Sequence, residues 1–304
     1  MKKIDFHVHI TNRIPIDDTV RLFQNLCERK GYLGVGIMAL SHSGNDDFPD
    51  CNRDALKIKK QMPGSAAFAA LFHDEDFVEQ AKRRMDEGFD GIKLLEGKPT
   101  HFKHYGYGFS HPRFDAFFAF AEEQGIPLMI HNNDPRTFWD VNKASERARK
   151  KGWVYDESTP SFAYFTQALE KVFNDHPNLR AAVAHMGFLA HDLDHMERLL
   201  ENYPNLMFDI TPAVEIYGDV SSDPIRAQRF FEKFQNRLIY GTDARNSLNE
   251  NAIRFNDMKT EMISTFLEGG SPRKVGDYEI SPISLGEEAL ENIYYHNAMR
   301  LIKK

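Results

Sequence analysis

A chain of 304 residues is long enough to bury one barrel-sized core or two smaller ones. Its formal net charge of −7 and sequence pI near 6.0 argue against nucleic acid or an anionic membrane as a partner, and no Lys/Arg block makes a local exception. Cys27 and Cys51 are not spaced as a Cys-x-x-Cys pair, no apolar run approaches the roughly 20 residues of a membrane helix, and no apolar signal core opens the chain, so the sequence predicts a cytoplasmic protein with two free thiols.

Residues 3–10 read as a first strand whose alternation sets Ile4, Phe6, Val8 and Ile10 on one face and Asp5, His7 and His9 on the other. Burying unpartnered polar groups costs about 2–7 kcal/mol each. Metal coordination would compensate; the alternative is a pair of hydrogen-bonded rim histidines. A helix is predicted over residues 15–30, with Ile16, Val20, Phe23, Leu26 and Cys27 as its apolar stripe and Gly31 after its end. Further strands are predicted over residues 33–40, 66–72, 89–95, 127–130, 179–184, 206–210 and 237–241. Helices are expected between them over 50–61, 75–87, 111–124, 160–175, 191–202 and 224–234, and after the last strand over 250–267 and 286–302. Residues 132–159 form a longer insertion after strand five, and its Trp139, Trp153 and Arg/Lys content suggest a lid or rim segment. Residues 269–284 read as a loop.

Eight strands alternating with helices imply parallel βα units, and at this length they predict an α/β fold of the (β/α)8 TIM-barrel type, one domain over residues 1–304. No Gly-x-Gly-x-x-Gly follows strand one, which argues against an open dinucleotide-binding sheet. The active site of such a barrel lies at the C-terminal ends of its strands. Strand one supplies His7 and His9, strand five runs into His131, strand six into His185 and strand eight into Asp243. Three or four imidazoles and a carboxylate suit zinc, manganese or iron.

With these residues in place the chain resembles the amidohydrolase superfamily, in particular its amidohydrolase-related hydrolases and decarboxylases. The resemblance spans nearly the whole chain. It rests on His7-Val8-His9, Gly91-Ile92-Lys93-Leu94, Ile126-Pro127-Leu128-Met129-Ile130-His131, Ala184-His185-Met186-Gly187, Tyr240-Gly241-Thr242-Asp243 and the closing segment Glu291-Asn292-Ile293-Tyr294-Tyr295-His296-Asn297-Ala298-Met299-Arg300-Leu301. It implies one or two divalent ions, zinc first with manganese or iron as alternatives, held by His7, His9, His131 and Asp243. His185 is then either a ligand to a second ion or a catalytic side chain. A lysine inside an apolar strand is costly as a free cation and would have a lowered pKa; Lys93 is either carboxylated to bridge two ions or paired with Asp5 or Glu96 inside the barrel.

The implied activity is hydrolysis of an amide, ester or lactone bond in a small, carboxylated molecule through a metal-bound hydroxide. Asp243 would act as general base and His185 as the group that polarises the substrate carbonyl. A nonoxidative decarboxylase of a small aromatic acid is the alternative within enzymes, and a metal-free binding barrel is the alternative outside them. Arg136 and Arg245 are placed to grip a substrate carboxylate or to form rim salt bridges. Trp139 and Trp153 either flank a ring-shaped substrate or pack the insertion. His42 and His73 line the mouth or anchor loops, His101, His104 and His111 close over the site or lie in a solvated loop, and His176, His191, His195 and His296 are expected to be structural. Homodimers are common among such proteins; no residue of the sequence demonstrates one.

Overall fold

The computed structural model describes the chain except at Asn12, Gly44, Asn45, Pro49 and Lys304, and except for the side chains of residues 42, 43, 46 and 47. Eight parallel strand positions form its centre: β1 Lys3–His9, β2 Tyr32–Met38, β3 Ala66–Ala70, β4 Gly91–Gly97, β5 Leu128–Asn132, β6 Ala181–Val183, β7 Leu206–Asp209, and β8 in two pieces, Leu238–Ile239 and Ala244–Arg245. The split in β8 closes the ring. Its first piece pairs with β7 and its second with β1, while between them Phe6 N donates to the Tyr240 carbonyl at 3.2 Å and Asp243 N to the His7 carbonyl at 2.9 Å. The predicted (β/α)8 barrel is the observed fold.

The helices form because their sequences carry both a stripe and its punctuation. In α1, Ile16–Lys30, Thr19, Val20, Phe23 and Leu26 are buried, Asp17 and Asp18 stand in the first turn, Arg29 and Lys30 in the last, and Gly31 closes the helix at φ 70°. After strand six, Leu193–Asn202 starts where the Asp192 carboxylate accepts from His195 N at 3.0 Å. After strand eight, the 19-residue helix Glu250–Glu268, here α2, buries Lys259, Met262, Ile263, Phe266 and Leu267.

The barrel interior has two layers. Its lower part is apolar: Ile4, Phe6, Met38, Phe68, Met129, Met207 and Ile239 pack together, joined by Ala298 and Leu301 of the final helix. This corrects the expected face of the first strand. The β1–β2 register slips between Lys3 and Asp5 and again between Asp5 and Val8, so Ile4 and Phe6 pack with the interior cluster whereas Val8 and Ile10 join the outer core. A one-residue slip exchanges the faces of a strand. Asp5 thereby leaves the face of His7 and His9, and its carboxylate accepts from Thr242 N at 2.8 Å and from the Thr242 hydroxyl at 2.5 Å.

The insertion after β5 carries a small core of its own, Phe138, Ala144, Ala148 and Tyr155, against which Trp139 and Trp153 pack. Trp139 Nε1 donates to the Pro160 carbonyl at 3.0 Å, and Trp153 stacks on Phe138, so both tryptophans serve the packing of the segment. The Arg147 guanidinium lies 5.2 Å from the Phe255 ring centre, which ties the insertion to the start of α2 across the barrel mouth. Two expectations are corrected. Residues 269–284 contain a hairpin, Arg273–Val275 with Tyr278–Ile280, turned at Gly276, and the His-rich stretch after β4 begins with the helix Pro99–Tyr105. Among the described residues no helix is long and apolar enough to cross a membrane, and both cysteines are free.

Candidate metal centre

Above the apolar layer the interior turns polar at the ends of strands one, four, five, six, seven and eight. His7 Nε2 and His9 Nε2 lie 3.1 Å apart, and His9 Nε2 lies 3.2 Å from Asp243 Oδ1. One ligand atom from each of His7, His9 and Asp243 falls within 4.8 Å of the others. Lys93 Nζ is 3.4 Å from His7 Nε2. The His185 ring centre lies 5.7 Å from that of His7 and 5.0 Å from that of His131, so the five predicted ligands form one contiguous group. His131 is turned aside within it: its Nε2 lies 3.0 Å from the Asn133 carbonyl oxygen and 3.7 Å from Asp134 Oδ1.

The backbone that presents these side chains is unusual. His185, Met186, Gly187 and Phe188 have φ of 55°, 52°, 60° and 55°, and Asp243 has φ 54°. A left-handed conformation costs a non-glycine residue about 1–2 kcal/mol. Such conformations persist where surrounding structure enforces them, typically at functional sites. At Asp243 the enforcement is visible: its N–H donates to His7 O, and its carbonyl accepts from Lys259 Nζ at 2.9 Å. Gly241 is required for a different reason, because a Cβ there would come within 2.7 Å of both His7 Cβ and Thr211 Cγ2.

Charge states follow from burial and neighbours. Burial, then the Lys93 charge, holds His7 well below the usual imidazole range, and burial pushes His9 down to about 3. Burial also lowers His131 and His185. For Asp243 burial acts upward, but the His9 hydrogen bond and the Lys259 charge outweigh it, leaving the carboxyl well below its ordinary value. Burial lowers Lys93 to about 8 against the opposing charges of Asp209 and Asp243. Two neutral imidazoles beside an ionised carboxylate are the protonation states a divalent cation requires of its ligands, and this donor set suits zinc, manganese or iron. Buried His9 Nδ1 has no hydrogen-bond partner among the described residues.

The sequence reading missed Asp209. It ends β7 fully buried, with Oδ2 2.5 Å from His7 Nδ1, while Oδ1 accepts from Thr211 N at 2.5 Å and from the Thr211 hydroxyl. His185 Nδ1 lies 3.2 Å from the Thr211 carbonyl oxygen and 3.1 Å from its hydroxyl. A carboxylate inside the apolar run Leu206–Asp209 was the available signal.

The partners expected for a purely structural Lys93 are engaged elsewhere. Asp5 is held by Thr242, and Glu96 Oε1 lies 3.1 Å from His73 Nε2. His73 Nδ1 is 2.7 Å from the Tyr107 hydroxyl, which makes His73 a loop anchor. The His42 side chain lies outside the described residues. His101 is buried, and His111 Nδ1 accepts from Arg113 N at 3.2 Å, capping a short 3-10 turn. Arg136 is exposed at the start of the insertion. Arg245 lines a groove of about 450 Å³ with Leu22, Leu26, Asn246, Leu248 and Ile253, and none of the five predicted ligands lines that groove.

A parallel (β/α)8 barrel with its polar cluster at the strand ends is an enzyme scaffold carrying its chemistry where such barrels carry it. The chain belongs to the amidohydrolase family, whose model matches residues 4–304. A comparison with curated protein sequences finds no match. The fold is similar to that of a crystallised amidohydrolase II, with a TM-score of 0.64 at 16% identity over 100% of both chains. It is also similar to 2,6-dihydroxybenzoate decarboxylase from Rhizobium, with a TM-score of 0.60 at 17% identity over 99% of this chain and 98% of that one. A dihydroxybenzoic acid decarboxylase from a Polaromonas species, crystallised with manganese and 2-nitroresorcinol, gives 0.58 at 15% identity over 99% and 96%. At these identities the likeness shows the fold.

Proposed function

We propose that this protein is a metal-dependent hydrolase that opens an amide, ester or lactone bond in a small carboxylated molecule. The observation that carries the reading is the convergence of one ligand atom each from His7, His9 and Asp243 within 4.8 Å at the barrel mouth, two neutral rings and one ionised carboxylate. These three residues would hold a divalent ion, zinc in the first instance, with His131 and His185 beside it. Such an ion supplies Lewis acidity to a carbonyl and makes a water acidic.

Asp243 takes the proton of the attacking water and passes it to the leaving group; its side chain is 34% exposed and so reachable from the mouth. His185 serves as an acceptor. Its Nδ1 faces the Thr211 carbonyl, which can only accept, so the proton of the neutral ring sits on Nδ1 and Nε2 carries a lone pair. This differs from the carbonyl-polarising role read from the sequence, which needs a proton on Nε2. Lys93, its pKa lowered to about 8, lies beside His7 and suits a bridging carbamate as well as a local cation. Arg136, exposed at the start of the insertion, grips a substrate carboxylate; Arg245 marks a neighbouring groove. The two free cysteines fit a cytoplasmic setting.

Nonoxidative decarboxylation of a small aromatic acid is a second reading, supported by the fold likeness to the two decarboxylases. The test is a panel of esters, lactones, amides and aromatic acids turned over by wild type and by Asp243→Asn. Release of an acid with an alcohol or amine, abolished in a folded variant, supports hydrolysis. Release of carbon dioxide replaces that reading with the second, and full activity in the variant overturns the role of Asp243.

A further inference from the structure

The hydrogen bonds around Asp209 have a direction that the chemistry of the groups dictates. The Thr211 N–H can only donate, and the Thr211 hydroxyl has a single proton; both are aimed at Asp209 Oδ1. Oδ1 takes both Thr211 donors, which leaves the other oxygen, Oδ2, 2.5 Å from His7 Nδ1, to accept from that ring nitrogen when the carboxylate is ionised. His7 is then the Nδ1-protonated tautomer, and its Nε2 has a bare lone pair. That is the atom 3.1 Å from His9 Nε2 and 3.4 Å from Lys93 Nζ. The same reasoning reaches His185. Asp209 fixes Thr211, whose carbonyl and hydroxyl oxygens accept from His185 Nδ1 at 3.2 Å and 3.1 Å, leaving its Nε2 bare as well.

We propose that Asp209 is the positioning residue of the centre: one carboxylate on strand seven that sets the tautomer of His7 directly and of His185 through Thr211, turning both Nε2 lone pairs to the barrel mouth. The consequence for metal binding rests on His7 being a cation ligand; the tautomers do not. An amide cannot replace the carboxylate. If the oxygen of an asparagine stays with Thr211, its NH2 faces His7 Nδ1 and forces the Nε2–H form. If its oxygen stays with His7, the NH2 is pressed against the two donors of Thr211.

The experiment uses full-length protein with 15N-labelled histidine, stripped of metal and held near neutral pH, in which long-range 1H–15N correlations show which ring nitrogen carries the proton. His7→Gln and His185→Gln spectra assign the two rings. The expected result is Nδ1 protonation of both in wild type, conversion of His7 to the Nε2–H form in Asp209→Asn, and zinc binding, titrated with the metal alone, weaker by roughly 10–100-fold in the variant. An Nε2–H His7 in wild type overturns the proposal, and that measurement stands even if the variant does not fold. Unchanged tautomers and zinc affinity in a folded Asp209→Asn also overturn it. Tautomers as stated in a wild type that binds no zinc or manganese uphold Asp209 and remove the metal-dependent reading.

Discussion

Lys259 and Asp243 are joined through the backbone: the buried ammonium on α2 donates to the Asp243 carbonyl at 2.9 Å, holding a residue whose φ is 54°. The same ammonium contributes to keeping the Asp243 carboxyl ionised. Lys259→Met removes both effects and leaves a carbonyl without its partner, a loss of about 1–3 kcal/mol. Thermal melts should show that loss, and steady-state kinetics should show kcat falling more than KM rises. A variant that melts lower with kcat untouched would confine Lys259 to a structural role.

Gly241 lies in the break of β8, against His7 of β1. A methyl there would meet His7 Cβ and Thr211 Cγ2 at 2.7 Å, so Gly241→Ala should displace one or both at a cost of about 1–3 kcal/mol. Zinc affinity, read by competition with a chelator, should fall with stability. Retention of wild-type affinity would mean that His7 does not depend on this packing.

The sequence made the barrel legible because each strand is a short apolar run with a polar residue at its end. His7, His9, His131, His185 and Asp243 were readable from that placement alone, and they lie together. What period-two alternation cannot show is a slip of register, and the two slips in β1 are what separate Asp5 from His7. Asp209 was hidden for a related reason: it sits inside a predicted strand, where a carboxylate reads as an irregularity until its partners, 202 residues away at His7, are in view. The hairpin at 273–280 had a local signal, Gly276-Asp277 between short strands, outweighed by the charged residues around it.

The acid side of the stability curve should report on Glu96. Burial tends to raise its carboxyl, but the hydrogen bond and charge of His73, with His101 nearby, bring it below its ordinary 4.5. A carboxyl depressed in the folded state stabilises above its unfolded pKa, and that contribution is lost as the pH falls through the folded value. Glu96→Gln should therefore be less stable than wild type at neutral pH and show a shallower loss below pH 4.5. Chemical denaturation across that range gives the two slopes, and parallel curves would show that the contact with His73 adds nothing.

The most direct test of the account is the metal content per chain of protein purified without chelators, measured by elemental analysis beside a His7→Ala/His9→Ala variant. Wild type is expected to carry about one or two equivalents of a divalent metal that the variant loses, the higher figure assigning Lys93 to a bridge. Wild-type protein that carries no metal, and whose melting temperature does not move when zinc or manganese is added, would contradict it.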